Sequence, residues 1–534
     1  MRHALVGMVV LVAMTGCREP LRCGTTHEYD ESLGRCVCRG GALADDAGMC
    51  GAATDDAGVD PADGAAGATD AGLCTAEECD GVDQDCDDRV DESSCGAAAA
   101  CVDLRCEPLP IHVRSGALGR TSATQIMSLA ASADGFAIVG FARDEDFGDG
   151  AIAGESFVAF FGRDGGHRWS HSLSSIDGAM RPRAVVVRPD GRVVIAGGFS
   201  GRTSAFGTPE LVAGERQHAF VVEYSTLGVP QVLRVFDAAS GGGIGISAMA
   251  LAEDGDLIVA GSFAGDVNLA TLVRAQGWSD VFIARVSPAG ALEWARPMGG
   301  DGDEGLVSVA VDADGIYAAG YFESALASFG GPNLRNAGQV DGFVVALTHE
   351  GLHRWTTHIA GLDDDYATAV VTTPGMVHVA GNVGSPTTTI GDAELVRRGG
   401  FDLYVAGLGP SDGAVAWASR YGSGEVTPPL LASVGGEVFV GTAFTQAISV
   451  GGELLTAPPT GFAVLIAGYD GTTGVHQWSR SYPARSVAGL SATGDRIVVG
   501  GAFSGEVSLG GEPIVAEPVA GQTFWAEYSV GPSR

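Results

Sequence analysis

Residues 306–359 read "LVSVAVDADGIYAAGYFESALASFGGPNLRNAGQVDGFVVALTHEGLHRWTTHI". The stretch contains four short runs of β-branched or alternating apolar residues, separated by turns rich in Gly, Asp and Asn. Such runs are typical of β-strands in an antiparallel sheet. The preceding stretch, 246–298, reads "ISAMALAEDGDLIVAGSFAGDVNLATLVRAQGWSDVFIARVSPAGALEWARPM" and has the same four runs. The chain therefore repeats a unit of four strands.

Seven such units can be counted from the residue that closes the second strand. These residues are Ala142, Phe199, Phe263, Phe322, Val383, Phe444 and Phe503, at steps of 57 to 64 residues. A glycine stands two residues earlier in six units, and Thr442 takes its place in the sixth unit along the chain. The fourth strands carry five of the seven tryptophans, which are Trp169, Trp294, Trp355, Trp417 and Trp478. This spacing predicts an all-β fold, a seven-bladed β-propeller of four-stranded blades.

The ends of the repeat predict how the ring closes. The seventh unit stops at "FWAEYSVGPSR", residues 524–534, which is a third strand without a fourth. Ahead of the first unit, "PIHVRSGALG", residues 110–119, reads as a fourth strand without a blade. We expect these two segments to pair, because pairing would hide the sheet edges that otherwise promote aggregation.

The phrase "DVFIARVSPAGALEWARPMGGDGDEGLVSVAVDADGIYAAGYF", residues 280–322, resembles the bacterial seven-bladed β-propeller (SBBP) repeat family of cell-surface proteins. The resemblance extends over residues 108–534, which we predict to form the propeller domain. It implies the fold and exposure at the cell surface, and it implies no defined activity.

Composition narrows the possible functions. The formal net charge is −34, and all 31 basic side chains are arginines. Phosphate backbones and anionic lipids attract clustered cations, so this charge argues against nucleic-acid binding and against a purely electrostatic membrane contact. The lack of lysine excludes Schiff-base catalysis and a phosphate-binding loop lysine.

The chain opens with "MRHALVGMVVLVAMTGC", a short basic start followed by a ten-residue apolar run. The run is too short to span a membrane and is typical of a signal peptide. Its end, "MTGC", resembles the bacterial lipobox, which implies a lipoprotein signal peptide at 1–16 and lipidation of Cys17. The alternative is an ordinary secretory signal. Arg18 favours the outer membrane, so we expect a lipid-anchored protein at the outer membrane or cell surface.

Ten further cysteines precede the propeller, an even number that suits disulfides in an oxidising compartment. They are Cys23, Cys36, Cys38, Cys50, Cys74, Cys79, Cys86, Cys95, Cys101 and Cys106. We predict a lipidated Cys-rich segment at 17–50 and a Cys/Asp-rich motif at 74–107. Between them, residues 51–73 consist almost entirely of Gly, Ala, Asp and Thr, a composition typical of a disordered linker.

The stretch "CDGVDQDCDDRVDE", residues 79–92, resembles a Cys/Asp-rich metal-binding motif of secreted proteobacterial proteins. Its candidate ligands are Asp83, Asp85, Asp87, Asp91 and Glu92. Alternating carboxylates suit calcium, whereas Asp88 stands where the calcium loop of an EF-hand needs glycine and Ser94 where it needs glutamate. A calcium site, an acidic disulfide knuckle without tight binding, and a copper or other metal site all stay open.

Loops between blades offer a possible ligand face at the mouth of the central channel. Their acidic residues are Asp301, Asp303, Glu304, Asp363, Asp364 and Asp365. No familiar hydrolase or zinc motif is present, so we predict a binding or scaffolding platform for an unknown protein or glycan, not an enzyme. The alternatives are a carbohydrate-active lyase or hydrolase that uses these acidic loops, and a structural envelope protein.

His167, His353 and His476 each lie two residues before a fourth-strand tryptophan. Equivalent positions on separate blades cannot converge on one ion. We expect them to be surface residues.

Overall fold

The computed structural model describes residues 110–531, apart from 120–123, 143–144, 149, 153, 208–209, 240 and 517–521, together with four short strands before residue 110. The chain divides into two compact units, Met1–Leu109 and Pro110–Arg534. In the first unit, His27–Asp30 pairs with Arg35–Cys38 and Ala99–Val102 pairs with Arg105–Pro108, which sets Cys101 opposite Cys106 in the backbone register. The predicted lipid anchor, linker and acidic motif lie outside the described residues.

The second unit begins with three blades, each an antiparallel sheet of four strands. Blade 1 consists of Gln125–Ser132, Gly135–Phe141, Ser156–Gly162 and His167–Leu173. Blade 2 consists of Met180–Val187, Val193–Thr203, Leu211–Tyr224 and Pro230–Phe236. Blade 3 consists of Gly243–Leu251, Leu257–Ala264, Asp280–Val286 and Leu292–Gly300.

Four more blades follow in the same order. Blade 4 consists of Glu304–Val311, Ile316–Phe322, Asp341–Leu347 and His353–Ala360. Blade 5 consists of Ala369–Thr373, Met376–Val383, Asp402–Leu408 and Val415–Tyr421. Blade 6 consists of Leu430–Val434, Glu437–Phe444, Ala463–Asp470 and His476–Tyr482. Blade 7 consists of Ser486–Thr493, Arg496–Phe503, Gln522–Ser529 and, from the other end of the chain, Ile111–Leu118.

The seven blades form a closed ring. The first strand of every blade contacts the first strand of the next, and blade 7 contacts blade 1 in the same way. Ile111–Leu118 pairs with Gln522–Ser529, as the two ends of the repeat predict. The seven-bladed, all-β prediction and its closure by one N-terminal strand are confirmed.

The hydrophobic core lies between the blades. The central residues of the second and third strands are mostly apolar and are buried on both faces, as in Ile316–Phe322 and in Phe343–Leu347. Separate clusters join blades 1 and 2, 2 and 3, 3 and 4, 4 and 5, 5 and 6, and 7 and 1. Each blade is therefore stabilised chiefly by its neighbours, as in repeat proteins generally.

The sequence did not predict a small hairpin between the second and third strands. The pairs are Glu145–Asp146 with Ala151–Ile152, Asp266–Leu269 with Thr271–Arg274, Leu326–Ser328 with Leu334–Arg335, Thr387–Ile390 with Ala393–Val396, Ala447–Ile448 with Leu455–Thr456, and Glu506–Val507 with Ile514–Val515. In blade 2 the second and third strands themselves extend into the hairpin. In blades 4 and 5 the hairpin also pairs with the fourth strand of the preceding blade, which links neighbouring sheets.

The repeated glycine of the second strand has a steric cause. In blade 4 the first strand bulges between Leu306 and Ser308, opposite Gly320. The bulge brings the carbonyl oxygen of Gly305 so close to Gly320 that a Cβ atom there would overlap it. The same overlap would occur at Gly140, Gly197, Gly261, Gly381 and Gly501.

Thr442 of blade 6 is the exception to the glycine pattern. There the close contact between the carbonyl and the second strand becomes a hydrogen bond. The Thr442 hydroxyl donates a hydrogen bond of 2.7 Å to the carbonyl oxygen of Thr427, which occupies the position of Gly305 in its repeat. In blade 6 a threonine hydroxyl thus hydrogen-bonds to the carbonyl oxygen, whereas in the other blades a glycine leaves room for it.

Fourth-strand tryptophans join one blade to the next. The Trp294 indole donates a hydrogen bond to the carbonyl of His349, at 2.9 Å, and its ring covers Gly351 in the turn before the next fourth strand. Gly351 has a φ of 76°, and a Cβ there would overlap the indole. Trp169, Trp355 and Trp417 cover Gly228, Gly413 and Gly474 in the same way.

Blade 7 makes this contact from a different strand. Its fourth strand, Ile111–Leu118, contains no tryptophan, and Trp525 of the third strand covers Gly165 of blade 1 instead. Trp525 lies opposite Gly116, where a Cβ would crowd the indole nitrogen. Gly116 therefore makes room for the ring that seals the last interface.

The three repeat histidines are only partly exposed, which the sequence did not indicate. His353 and His476 are half-buried, because glycine pairs from the hairpin turns, Gly330–Gly331 and Gly451–Gly452, pack on their rings. Burial lowers the pKa of both imidazoles. His167 is also half-buried, against Gly148. These side chains hold the hairpins against the blades.

Within the described ranges, no helix is long and apolar enough to cross a membrane.

We predict that Gly320→Ala lowers the free energy of unfolding by about 1–3 kcal/mol, because the new methyl group would overpack against backbone atoms of the first strand. Urea unfolding followed by tryptophan fluorescence measures the change. Gly436→Ala is the matched control, since nothing lies within 4 Å of a Cβ there. Equal stability of the two variants would contradict the steric explanation.

Candidate functional site

The predicted ligand face lies where first strands begin, second strands end and third strands begin. We call this end of the ring the inter-blade face. In blades 3 to 5 it is built from the loops 301–304 and 361–368, the ends of the second strands, and the segments that lead into the third strands. The six acidic residues predicted for a ligand face all lie here, and they separate into two kinds.

Glu304 and Asp365 are buried structural carboxylates. Asp365 accepts hydrogen bonds from the hydroxyls of Ser385 at 2.7 Å and Thr388 at 3.1 Å. Glu304 accepts a hydrogen bond from the Ser324 hydroxyl and another, at 2.8 Å, from the backbone N–H of Gly300. Exposure is 1% for Glu304 and 0% for Asp365, so neither side chain is available to an external ligand in this conformation.

A second set of buried carboxylates opens the third strands. Asp280, Asp341 and Asp402 accept hydrogen bonds from the backbone N–H four residues earlier in the chain, at 3.2, 2.7 and 2.7 Å. Asp341 also contacts His358 at 2.8 Å, and Asp402 forms an ion pair of 2.7 Å with Arg420. These aspartates fix the loop that leads into each third strand.

Glu304 and Asp365 each lie close to an aspartate of the preceding blade that opens a third strand. Burial raises the pKa of Glu304, and the charge of Asp280 on the preceding blade raises it further against the opposing hydrogen bonds. Burial likewise raises the pKa of Asp365, with a smaller contribution from Asp341. Both carboxyls therefore hold a proton more readily than an exposed carboxyl does.

Asp301, Asp303, Asp363 and Asp364 form the accessible acidic set. Asp301 is exposed and the other three are half-buried. Backbone hydrogen bonds hold their loops against the second strands, with Glu323 N donating to Asp303 O at 3.0 Å and Gly384 N donating to Asp364 O at 2.8 Å. The structure thus brings part of the predicted ligand face together at blades 4 and 5, and that face stays a prediction as a binding site.

Sequence reasoning missed the tyrosines between these loops. The rings of Tyr321 and Tyr366 meet edge to face at 5.6 Å between centroids, and Tyr366 meets Phe401 at 6.2 Å. All three side chains are half-buried. A comparison of the seven units would have pointed to Tyr366, because its position holds Gln125, Arg181, Gly245, Gly305, Thr427 or Ser486 in the other blades.

Trp278 is a further aromatic on this face. Its side chain is 84% exposed, and its backbone N–H donates to the carbonyl of Gly302 at 2.7 Å. The blade 3 loop that carries it thus contacts the 301–304 loop directly. An exposed indole provides a large apolar surface with one hydrogen-bond donor, a combination that is enriched at interfaces.

The opposite face carries a cavity of about 340 Å³ bordered by the turns between first and second strands of blades 3 to 6. Three lining residues are acidic, namely Glu253, Asp312 and Asp314. Asp312 accepts a hydrogen bond from the backbone N–H of Asp314 at 2.9 Å, as expected of a tight turn.

In the part of the chain that the structure describes, no group of three or more His, Cys, Asp or Glu side chains is arranged to hold a metal ion. The acidic motif at 79–92 lies outside that part, so its calcium prediction stays a prediction. What the inter-blade face offers chemically is accessible carboxylates, phenol rings and an exposed indole.

No protein-family model matches the chain, and no curated protein matches it. Among solved structures, it is similar to BamB from Moraxella catarrhalis, with 12% identity and a TM-score of 0.37 over 78% of this chain and 100% of that one. It is also similar to U3-55K, with 11% identity and a TM-score of 0.44 over 78% and 99%. A quinohemoprotein alcohol dehydrogenase from Comamonas testosteroni matches with 11% identity and a TM-score of 0.37 over 79% and 77%. Likenesses this distant support no argument about function, and the propeller fold rests on the strand topology described above.

We predict that Asp365→Asn removes a pH-dependent part of the stability. The pKa of Asp365 is raised in the folded chain, so the folded state binds the proton more tightly than the unfolded state does. The parent's free energy of unfolding minus that of Asp365→Asn should therefore decrease as the pH rises through the raised pKa of Asp365. Urea unfolding at a series of pH values measures this difference.

Asp363→Asn is the control, because it removes the same charge from a half-buried position in the same loop. A difference between parent and Asp365→Asn that stays flat or grows with rising pH would contradict the prediction.

Proposed function

We propose that the protein is an envelope-anchored lipoprotein whose propeller is a binding or scaffolding platform. The observation that carries this proposal is the inter-blade face at blades 3 to 5. There, accessible carboxylates and aromatic side chains from successive blades lie on loops held by a rigid, closed ring. Loops on a rigid scaffold are where binding residues concentrate in proteins.

The partner class in this proposal is a protein or a glycan of the cell envelope. Accessible carboxylates, phenols and the indole of Trp278 can form hydrogen bonds and stacking contacts with either. The negative net charge opposes nucleic acid as a partner.

A binding screen tests the platform. The full chain is immobilised and exposed to panels of envelope glycans and purified secreted proteins, and binding is measured by surface plasmon resonance. We expect a ligand whose affinity falls when the loops 301–303 and 361–364, which carry the accessible carboxylates and leave Glu304 and Asp365 in place, are both replaced by glycine–serine segments of equal length. A circular dichroism spectrum and thermal melt like those of the parent show that the variant is folded.

Two results would overturn the platform proposal. One is a ligand that binds the loop variant and the parent equally well. The other is turnover of a glycan by the full chain, detected as new reducing ends or unsaturated products, which would show an enzyme.

The anchor is the other half of the proposal, and it rests on the "MTGC" sequence that ends at Cys17. When the chain is expressed in a bacterium fed with labelled palmitate, we expect the label in the parent protein and none in Cys17→Ser. The variant should leave the membrane fraction, because a lipid chain provides the affinity that this acidic protein otherwise lacks.

Cys23→Ser is the matched control and should keep the label. Palmitate that persists in Cys17→Ser would overturn the lipid anchor.

A further inference from the structure

Tyr321 and Tyr366 are departures from a repeat that does not need them. The position of Tyr321 holds Gly198, Ser262, Asn382, Ala443 or Ala502 in five other blades, and Phe141 in blade 1. Small and polar residues thus support the same backbone elsewhere in the ring. The fold therefore gives no reason for two neighbouring tyrosines at the boundary of blades 4 and 5.

The two rings are held in place by the blades beneath them. Tyr321 lies over Gly305, where a Cβ would overlap the ring, so this glycine makes the space for it. Tyr366 meets Tyr321 edge to face on one side and Phe401 on the other. The result is a short aromatic row with half-buried rings that keep part of their surface toward solvent.

Carboxylates surround the tyrosine end of this row. Asp303 and Glu323 lie near enough to Tyr321, and Asp364 near enough to Tyr366, for their charges to raise the tyrosine pKa values beyond the larger effect of burial. Both phenols therefore stay neutral at physiological pH.

Two arginines lie at the other end of the row. Arg397 donates a hydrogen bond to the carbonyl of Gly384, and the backbone N–H of Arg398 donates to Asp402 beside Phe401. The tyrosine end thus carries the negative charge, and the Phe401 end is mixed.

We propose that the Tyr321–Tyr366 pair is a docking site for an arginine or lysine side chain on an exposed segment of a partner protein. A cation over a tyrosine face is attracted by the ring, and the surrounding carboxylates complement the same charge. This proposal rests on the platform function and names its partner as a protein with a basic segment.

The site favours a planar guanidinium over a compact ammonium ion, because a guanidinium can stack on one ring while donating to a carboxylate. The match is local. Since exposed charges are screened by salt, affinity should fall as ionic strength rises.

The test uses the full chain and a synthetic peptide of alternating glycine and arginine, with binding measured by isothermal titration calorimetry. The control peptide carries citrulline in place of arginine, which keeps the shape and removes the charge. We expect the arginine peptide to bind at least about tenfold more tightly than the citrulline peptide.

Substitutions copied from other blades remove the rings with little risk to folding. Tyr321→Ser reproduces Ser262, and Tyr366→Thr reproduces Thr427. The double variant should bind the arginine peptide about tenfold more weakly than the parent, whereas Tyr321→Phe with Tyr366→Phe should retain binding. Phe141→Ser removes the aromatic at the equivalent position of blade 1 and should have no effect.

Charge is tested separately from the rings. Glu323→Gln with Asp364→Asn should weaken binding, and Glu253→Gln with Asp314→Asn, which removes as much charge from the opposite face, should not.

Equal binding of arginine and citrulline peptides, or unchanged binding by the serine and threonine double variant, would overturn this site. Either result would leave the platform proposal standing if the screen yields a ligand sensitive to the loop replacement. If the screen yields no such ligand, the platform proposal is rejected, regardless of the result with the arginine peptide.

Discussion

The pairing of Ile111–Leu118 with Gln522–Ser529 is the contact on which the ring depends. Without it, blade 7 would have three strands, and its outer edge would present unpaired backbone groups. Trp525 and Gly116 fit together at this joint, and the same indole covers Gly165 of blade 1. One strand pair therefore completes a sheet and also closes the interface between the last blade and the first.

Around the ring, two local demands recur. In every blade a backbone carbonyl at the start of the first strand closely approaches the second strand. In blades 1, 2, 4, 5 and 6 the turn before the fourth strand lies under an indole of the preceding blade. Glycine satisfies both demands because it has no Cβ, and a left-handed turn such as Gly351 also needs its backbone freedom. Neither contact requires one fixed residue type. Thr442 replaces the glycine and forms a hydrogen bond to the carbonyl, and Trp525 covers the turn glycine of blade 1 from a third strand instead of a fourth.

The fold could be predicted from the sequence because its causes recur. Seven glycine or threonine positions at similar spacing, five tryptophans and two incomplete ends led to the blade count and the closure. The small hairpins were missed because their strands are only two to four residues long outside blade 2, too short for a periodic pattern. The partial burial of His353 was not anticipated, because the glycine pair that covers its ring comes from a hairpin turn whose position over the blade could not be inferred from the local sequence.

The candidate site was less predictable, for a related reason. Asp303 and Glu304 are neighbours in the chain, yet Glu304 begins a strand and turns inward while Asp303 keeps part of its surface toward solvent. Composition alone could not separate them. Tyr321 and Tyr366 lie in different repeat units and become neighbours only when blades 4 and 5 pack. In the sequence, these two tyrosines are visible only as deviations from the repeat, and a search for the repeat itself passes over such deviations.

The register of the closing pair has a mechanical consequence. Ile111 lies opposite Ser529, so the two ends of the propeller chain leave the ring side by side. Tension between those ends would pull on the terminal hydrogen bonds first and open the strand pair like a zip, one residue pair after another. Load applied along the strands would instead strain all of the hydrogen bonds together. The ring should therefore resist shear far better than peeling, and its weakest point under tension is the joint that makes it a ring.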